Sequence, residues 1–183
     1  LDRDAPTFTC PENVTVSAGH GNCEGFVQFL PVTGIKDDCS TKFTVDIKYP
    51  GGFIDNYNGG SAYLPIGVHP VTYIVYDECL NADSCTIFVT VLDKTPPVVV
   101  CDRTTTVGLN SLGQAYIYAE TLDDGSYDAC GMSTMEVRRM DAGAPCGDNF
   151  GFRDKASFCC ADAGKEVMVE LRVWDQSGNS NSC

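Results

Sequence analysis

The chain repeats itself. LDRDAPTFTCP at its start returns as LDKTPPVVVCD from Leu92, and YDECLNADSC at 76–85 returns as WDQSGNSNSC at 174–183. Leu1, Asp2, Pro6 and Cys10 stand 91 positions before Leu92, Asp93, Pro97 and Cys101, while Asp77, Asn81, Ser84 and Cys85 stand 98 before Asp175, Asn179, Ser182 and Cys183. A period of this length describes an array of domains, too long for the turn of a solenoid. The boundaries it predicts are 1–93 and 94–183. Arrays of self-contained domains serve reach and display, whereas an enzyme concentrates its unusual residues in one place.

Each half must bury a core within about 90 residues, near the size at which covalent staples help. Eleven cysteines supply them: Cys10, Cys23, Cys39, Cys79 and Cys85 in the first half, and Cys101, Cys130, Cys146, Cys159, Cys160 and Cys183 in the second. Such density points to disulfides and an oxidising, extracellular compartment. A zinc site is disfavoured because His20 and His69 stand far from any paired-cysteine spacing.

The net charge of -13 divides into -8 over residues 1–93 (4 basic, 12 acidic) and -5 over 94–183 (8 basic, 13 acidic). Nucleic acid and anionic membranes are repelled by such a surface. No signal peptide opens the chain and no apolar run reaches the roughly 18 residues of a membrane span. The expectation is a mature, soluble segment of a longer protein, its second module lacking the last strand that TIFVTVLD supplies to the first.

Strand periodicity dominates. In KFTVDIKY, Phe43, Val45, Ile47 and Tyr49 alternate with polar residues, and in EVMVELRVW so do Val167, Val169, Leu171 and Val173. ENVTVSA, EGFVQFLP, PVTYIVYD, TIFVTVL, PVVVC, TTTVGL and QAYIYAE complete the set of predicted strands. Glycine- and proline-bearing turns at AGHGNC, PGGF, NGG, PIG, AGAPCG and QSGN punctuate them. The fold class is all-β: two tandem, disulfide-stapled, immunoglobulin-like antiparallel sandwiches of about seven strands each.

The entry PTFTCPENVTV at 6–16, the stretch LPIGVHPVTYIVYDECLNADSC at 64–85 and the strand TIFVTVLD at 86–93 resemble the hyalin repeat (HYR) modules along nearly the whole first half. The second half matches at both ends. Between them, YAETLDDGSYDACG, VRRMDAGAPCG and the 158–183 stretch look like the variant repeats of very large surface proteins of gliding bacteria, with a long insertion from Asp141 to Ala163. The resemblance implies a non-catalytic adhesin or extracellular filament module. Its partners would be neighbouring modules or further copies of the protein, with surface glycans or other cells as contacts. It also implies disulfides Cys10 with Cys85 and Cys101 with Cys183.

The remaining cysteines leave alternatives. Cys23 pairs with Cys39 and leaves Cys79 over, or Cys39 pairs with Cys79 and frees Cys23. Adjacent Cys159 and Cys160 take different partners from Cys130 and Cys146. The odd cysteine is a buried thiol or a crosslink.

Several residues are candidates for binding. Asp37 and Asp38 in IKDDCS, with Asp123, Asp124 and Asp128 in LDDGSYDACG, are oxygen-rich loops of a kind that holds calcium, the only cofactor to consider. Asp77 with Asn81 and Asp175 with Asn179 read as turn formers. Asn13 opens a glycosylation sequon. Phe53, Tyr57 and Tyr63 border a glycine-rich stretch and can stack on sugar rings. Arg138 and Arg139 are expected to pair across the sheet with Glu170 or Glu166. No GxSxG, HExxH or spaced His/Asp/Ser set supports catalysis. The rival readings are a filament subunit completed by strand exchange and a carbohydrate-binding ancillary module.

Overall fold

A computed structural model describes residues 2–19, 21–141, 146 and 151–183. Contacts within it divide the chain into two compact units, Leu1–Lys94 and Thr95–Cys183.

The first unit contains β1 (Thr7–Thr9), β2 (Val14–Ser17), β3 (Glu24–Phe29), β4 (Thr33–Lys36), β5 (Thr44–Tyr49), β6 (Gly52–Ile54), β7 (Gly60–Pro65), β8 (Gly67–Tyr76) and β9 (Ala82–Leu92). A five-stranded sheet runs β2-β9-β8-β5-β6, and β3 with β7 forms a smaller sheet. Alternation decides which side chains meet between them. Val27, Ile47, Leu64, Val71, Tyr73, Val75, Val89 and Val91 are all fully buried. The sheets close tightly at Gly25, where an added Cβ would lie 2.8 Å from the methyls of Val16 and Val91. Phe29 of β3 sets its ring 5.1 Å from that of Tyr49 on β5. One ladder departs from the antiparallel expectation: β2 runs parallel to β9, with Val14 opposite Val89 and Ser17 opposite Leu92.

One polar group in this core is an outlier. The Tyr73 hydroxyl is buried and has no hydrogen-bond partner among the described residues, and burial pushes its pKa up to about 12. An unpaired buried hydroxyl carries its full desolvation cost. Tyr73→Phe is therefore expected to match or exceed the parent in thermal stability, by up to about 1 kcal/mol; a clear drop in melting temperature would show that the hydroxyl is bonded.

The second unit holds β10 (Gln114–Tyr118), β11 (Met132–Arg139), β12 (Lys155–Cys159), β13 (Val169–Asp175) and β14 (Ser180–Ser182), with 3-10 turns at Ala119–Leu122 and Cys160–Asp162. Strands β11-β13-β14 form one sheet and β10-β12 another. Ile117, Leu122, Val137, Ala156, Leu171 and Val173 fill the space between, with Val99, Val107, Met135 and Phe158 packed against them.

Two predicted strands of this unit do not form. PVVVC makes only isolated bridges, Val98 to Tyr127 and Cys101 to Asp123, and residues 104–109 (TTTVGL) lie outside any strand. Residues 104–109 stand where β2 stands in the first unit; β2 takes its ladder from residues 89–92, whereas no described strand of the second unit pairs with 104–109. The turn predicted at AGAPCG falls largely outside the described residues. No helix among the described residues is long and apolar enough to cross a membrane.

Candidate functional site: covalent staples, acidic turns and exposed aromatics

Cys10 follows β1 and Cys85 lies within β9; the two form a disulfide across a sequence separation of 75, with Cα atoms 6.2 Å apart. Cys101 and Cys183 repeat the arrangement across 82 positions, also at 6.2 Å. Both Cα distances fall within the range an unstrained disulfide requires. A third disulfide, Cys146 to Cys159, closes a separation of 13 with Cα atoms 5.6 Å apart. Cys23 and Cys130 are also disulfide-bonded.

Cys39, Cys79 and Cys160 instead carry exposed free thiols. Neither first-half alternative, Cys23 with Cys39 or Cys39 with Cys79, is formed. The Asp37 carboxylate accepts hydrogen bonds from the N–H groups of Cys39 and Ser40, at 2.9 and 2.8 Å, which holds Cys39 in a surface turn. Asp77 does the same for Cys79 at 2.8 Å. Asp2 pushes the Cys39 thiol above its ordinary pKa, and partial desolvation, Asp37, Asp38 and Cys79 add to the effect. Less thiolate means a poorer nucleophile. Cys160 is likewise not bridged. Its neighbour Cys159 is fully extended, at φ -145 and ψ 177 below zero, so successive side chains diverge. Cys160 Sγ faces Gly113, where an added Cβ would lie 2.2 Å from it.

The acidic candidates are dispersed. A carboxylate oxygen of Asp37 lies within 4.8 Å of oxygens from Asp2 and Asp77. Asp38 is exposed beside them. Asp123 accepts from Ser126 N–H at 2.9 Å and Asp128 from Cys130 N–H at 2.7 Å, both as turn formers. Asp124 is exposed, and its backbone N–H donates to Val100.

The repeated Asp and Asn build the same turn twice. Asp77 Oδ1 accepts from the N–H of Cys79 and of Asn81, and its Oδ2 from the Asn81 amide, each at 2.8 Å. Asp175 Oδ1 accepts from Ser177 and Asn179 N–H at 2.8 Å, and its Oδ2 from the Asn179 amide at 2.7 Å. Burial opposes the charge on Asp77, yet the donors of Asn81, Cys79 and Leu80 together hold its pKa below the usual carboxylate value. The turn passes through a left-handed residue, Leu80 at φ 68 in the first unit and Gly178 at φ 88 in the second. That conformation costs a side-chain-bearing residue about 1–2 kcal/mol, and glycine nothing. Leu80 is 80% exposed, so its side chain offers little packing in return. Leu80→Gly is expected to raise stability by about 0.5–1 kcal/mol after the entropy cost of glycine, seen as a calorimetric transition several degrees higher.

Asn13 precedes β2, and its side-chain oxygen accepts from Phe88 N–H at 2.8 Å, tying the sequon to a sheet strand. Phe53, Tyr57 and Tyr63 are 49%, 65% and 61% exposed. They do not share one surface element: Phe53 lies on β6 of the large sheet and Tyr63 on β7 of the small one. The ring beside Tyr63 is Phe26, at 5.4 Å. Phe26 was readable as the outward-facing aromatic of EGFVQF, since Val27 and Phe29 must alternate with it.

Arg138 pairs with Glu170 as its strand register predicts, Nε to Oε2 at 2.6 Å. Arg139 does not pair across the sheet. Its side chain is 2% exposed and meets Asp141 and Asp162, at 2.7 and 2.8 Å. The alternation contains the signal, because Arg139 shares a face with inward-pointing Val137.

An HYR domain model matches residues 1–91. The chain is 30% identical over 151 residues to Hyalin of Strongylocentrotus purpuratus, covering 78% of this chain and 11% of that protein. It is 31% identical over 98 residues to the sushi, von Willebrand factor type A, EGF and pentraxin domain-containing protein 1 of Mus musculus, covering 54% of this chain and 2% of the relative. The chain thus spans a small part of the length of either. Fibronectin(III)-like modules of Clostridium thermocellum CbhA align over 97% of this chain and 90% of theirs, at 12% identity and a TM-score of 0.33. Residues 1–91 of this chain form an HYR domain.

Proposed function

We propose that this chain is a structural and adhesive segment of a larger extracellular protein, with no catalytic role. The observation that carries the reading is the long-range disulfide in each unit, which joins a cysteine near the unit's first residues to one at the end of its repeat motif. A pull on the two ends of such a unit passes through the sulfur bridge, and the residues inside the loop bear little of it. Structural disulfides of this kind form and persist in an oxidising compartment. The similarity to Hyalin and to a large animal multidomain protein supports a repeat that works as one of many. The acidic net charge keeps such repeats soluble at high local density.

Single-molecule stretching tests the mechanical part. Cys10 and Cys85 stand 75 positions apart in the chain, a stretch that would lengthen by about 25 nm if released, at roughly 3.4 Å per residue. The oxidised protein is expected to unfold without that extension and to acquire it under a thiol reductant. Full extension of the oxidised first unit would remove the staple from the load path and the reading with it.

A further inference from the structure

The outward face of the β3–β7 ladder presents an aromatic pair that the fold leaves uncovered. Register places Glu24 opposite Pro65, Phe26 opposite Tyr63 and Gln28 opposite Ser61. Alternation sends Val27, Phe29 and Leu64 into the core, so this second set faces water. The Phe26 and Tyr63 rings are 5.4 Å apart, tilted by 59°, and remain 55% and 61% exposed. A cross-strand aromatic pair does stabilise a sheet, but a pair of smaller residues would do so without leaving so much apolar area in water.

The second unit shows the alternative. On its β10–β12 ladder Tyr116 and Tyr118 point outward at 48% and 50% exposure. There the ammonium of Lys155 lies 4.7 Å from the Tyr116 ring centre and 5.7 Å from that of Tyr118. Those rings already have a partner, a cation held over their negative faces. No such group lies over Phe26 or Tyr63 among the described residues.

Beside the Phe26–Tyr63 pair is a cleft of about 520 Å³, lined also by Ser17, Asn22 and Glu24 and the glycines of the preceding turn. Asn22 Nδ2 and Glu24 Oε2 stand 3.5 Å apart, too long for a strong mutual bond, which leaves an amide and a carboxylate for another ligand. An apolar platform edged by converging donors and acceptors fits a sugar ring. The C–H face of a pyranose lies on the electron-rich aromatic surface, and its equatorial hydroxyls reach the polar rim. An anionic glycan is disfavoured, because Glu24 sits in the cleft and the first unit carries a net charge of -8 over residues 1–93 (4 basic, 12 acidic).

We propose that the cleft beside Phe26 and Tyr63 binds a pyranose residue of a neutral glycan. The proposal rests on the adhesive part of the reading above and supplies its partner. The test is an array of neutral, sialylated and sulfated oligosaccharides probed with the oxidised protein, with titration calorimetry on the strongest neutral hit. Affinity is expected to fall at least about ten-fold in both Phe26→Ala and Tyr63→Ala, while Tyr57→Ala and Tyr116→Ala bind as the parent does. Melting curves of each variant establish that it is folded, and shifts of the Phe26 and Tyr63 ring signals on titrating the unmodified protein give a second readout. Three outcomes overturn the proposal: no neutral glycan binds, only anionic glycans bind, or binding ignores both substitutions. Self-association of the protein that Tyr63→Ala abolishes would also overturn it, by assigning the face to a second copy. The stretching experiment reads the staple separately, so loss of glycan binding and loss of the structural reading are distinguishable.

Discussion

Cys85→Ser is expected to lower the stability of the first unit by about 4.5 kcal/mol, the chain-entropy value for a loop of this length. The loop spans 75 positions of a unit that itself ends at Lys94, so nearly the whole domain is tied in the unfolded state. A small domain has about 5–15 kcal/mol in total, and the loss corresponds to a melting point on the order of 20 °C lower. Calorimetry of parent, single mutant and the Cys10→Ser/Cys85→Ser pair measures it. The double mutant should melt with the single, since either change opens the same loop. A single mutant within a few degrees of the parent would mean that the unfolded chain gains little freedom when the bridge is absent.

Arg139→Ala should destabilise the second unit by about 3–5 kcal/mol, the usual result of removing one partner from a buried ion pair. The guanidinium donates to Asp141 from Nε at 2.9 Å and Nη2 at 2.7 Å, to Asp162 from Nη1 at 2.8 Å and Nη2 at 2.9 Å, and to the Ser157 carbonyl at 2.9 Å. It also lies 5.0 Å from the Phe158 ring centre. Truncation leaves Asp162, whose side chain is only 9% exposed, without its cation. Arg139→Lys should recover little, because an ammonium cannot reproduce two planar forks.

The same cluster sets an acid limit. Hydrogen bonds from Arg139 hold the carboxyls of Asp141 and Asp162 below their ordinary pKa, and the Cys159 N–H adds to the effect on Asp162. A depressed folded pKa contributes stability that is fully present above the unfolded value, about 4 for aspartate, and is lost as pH falls through the folded value. The parent should therefore lose stability below about pH 4, whereas Arg139→Ala should show a flatter dependence there. Chemical denaturation at a series of pH values compares the slopes; parallel curves would mean that the ion pairs persist in the unfolded state.

Much of the architecture was local enough to read from the residues. Alternation assigned Val45 and Ile47 to the core of β5, and Leu171 and Val173 to that of β13, because a strand facing one sheet has only two sides. The repeated Asp and Asn announced a turn, since their side chains bond to backbone two to four residues away. The left-handed residue inside that turn was not legible at Leu80, for a leucine there runs against its own preference. Residues 104–109 had strand composition, yet composition cannot supply a neighbouring strand.

Sequence by itself determined the repeat, the period-two strands and a cysteine-rich, all-β class of protein. These are properties of spacing and composition along the chain. That Cys146 is the partner of Cys159, that Asp141 and Asp162 are the partners of Arg139, and that Phe26 stands beside Tyr63 were decided only by tertiary structure. Alternation along a strand says which way a side chain points, but the partner it meets is distant in the chain and is brought to it by sheet packing, so the free energy of such a contact belongs to the packed pair.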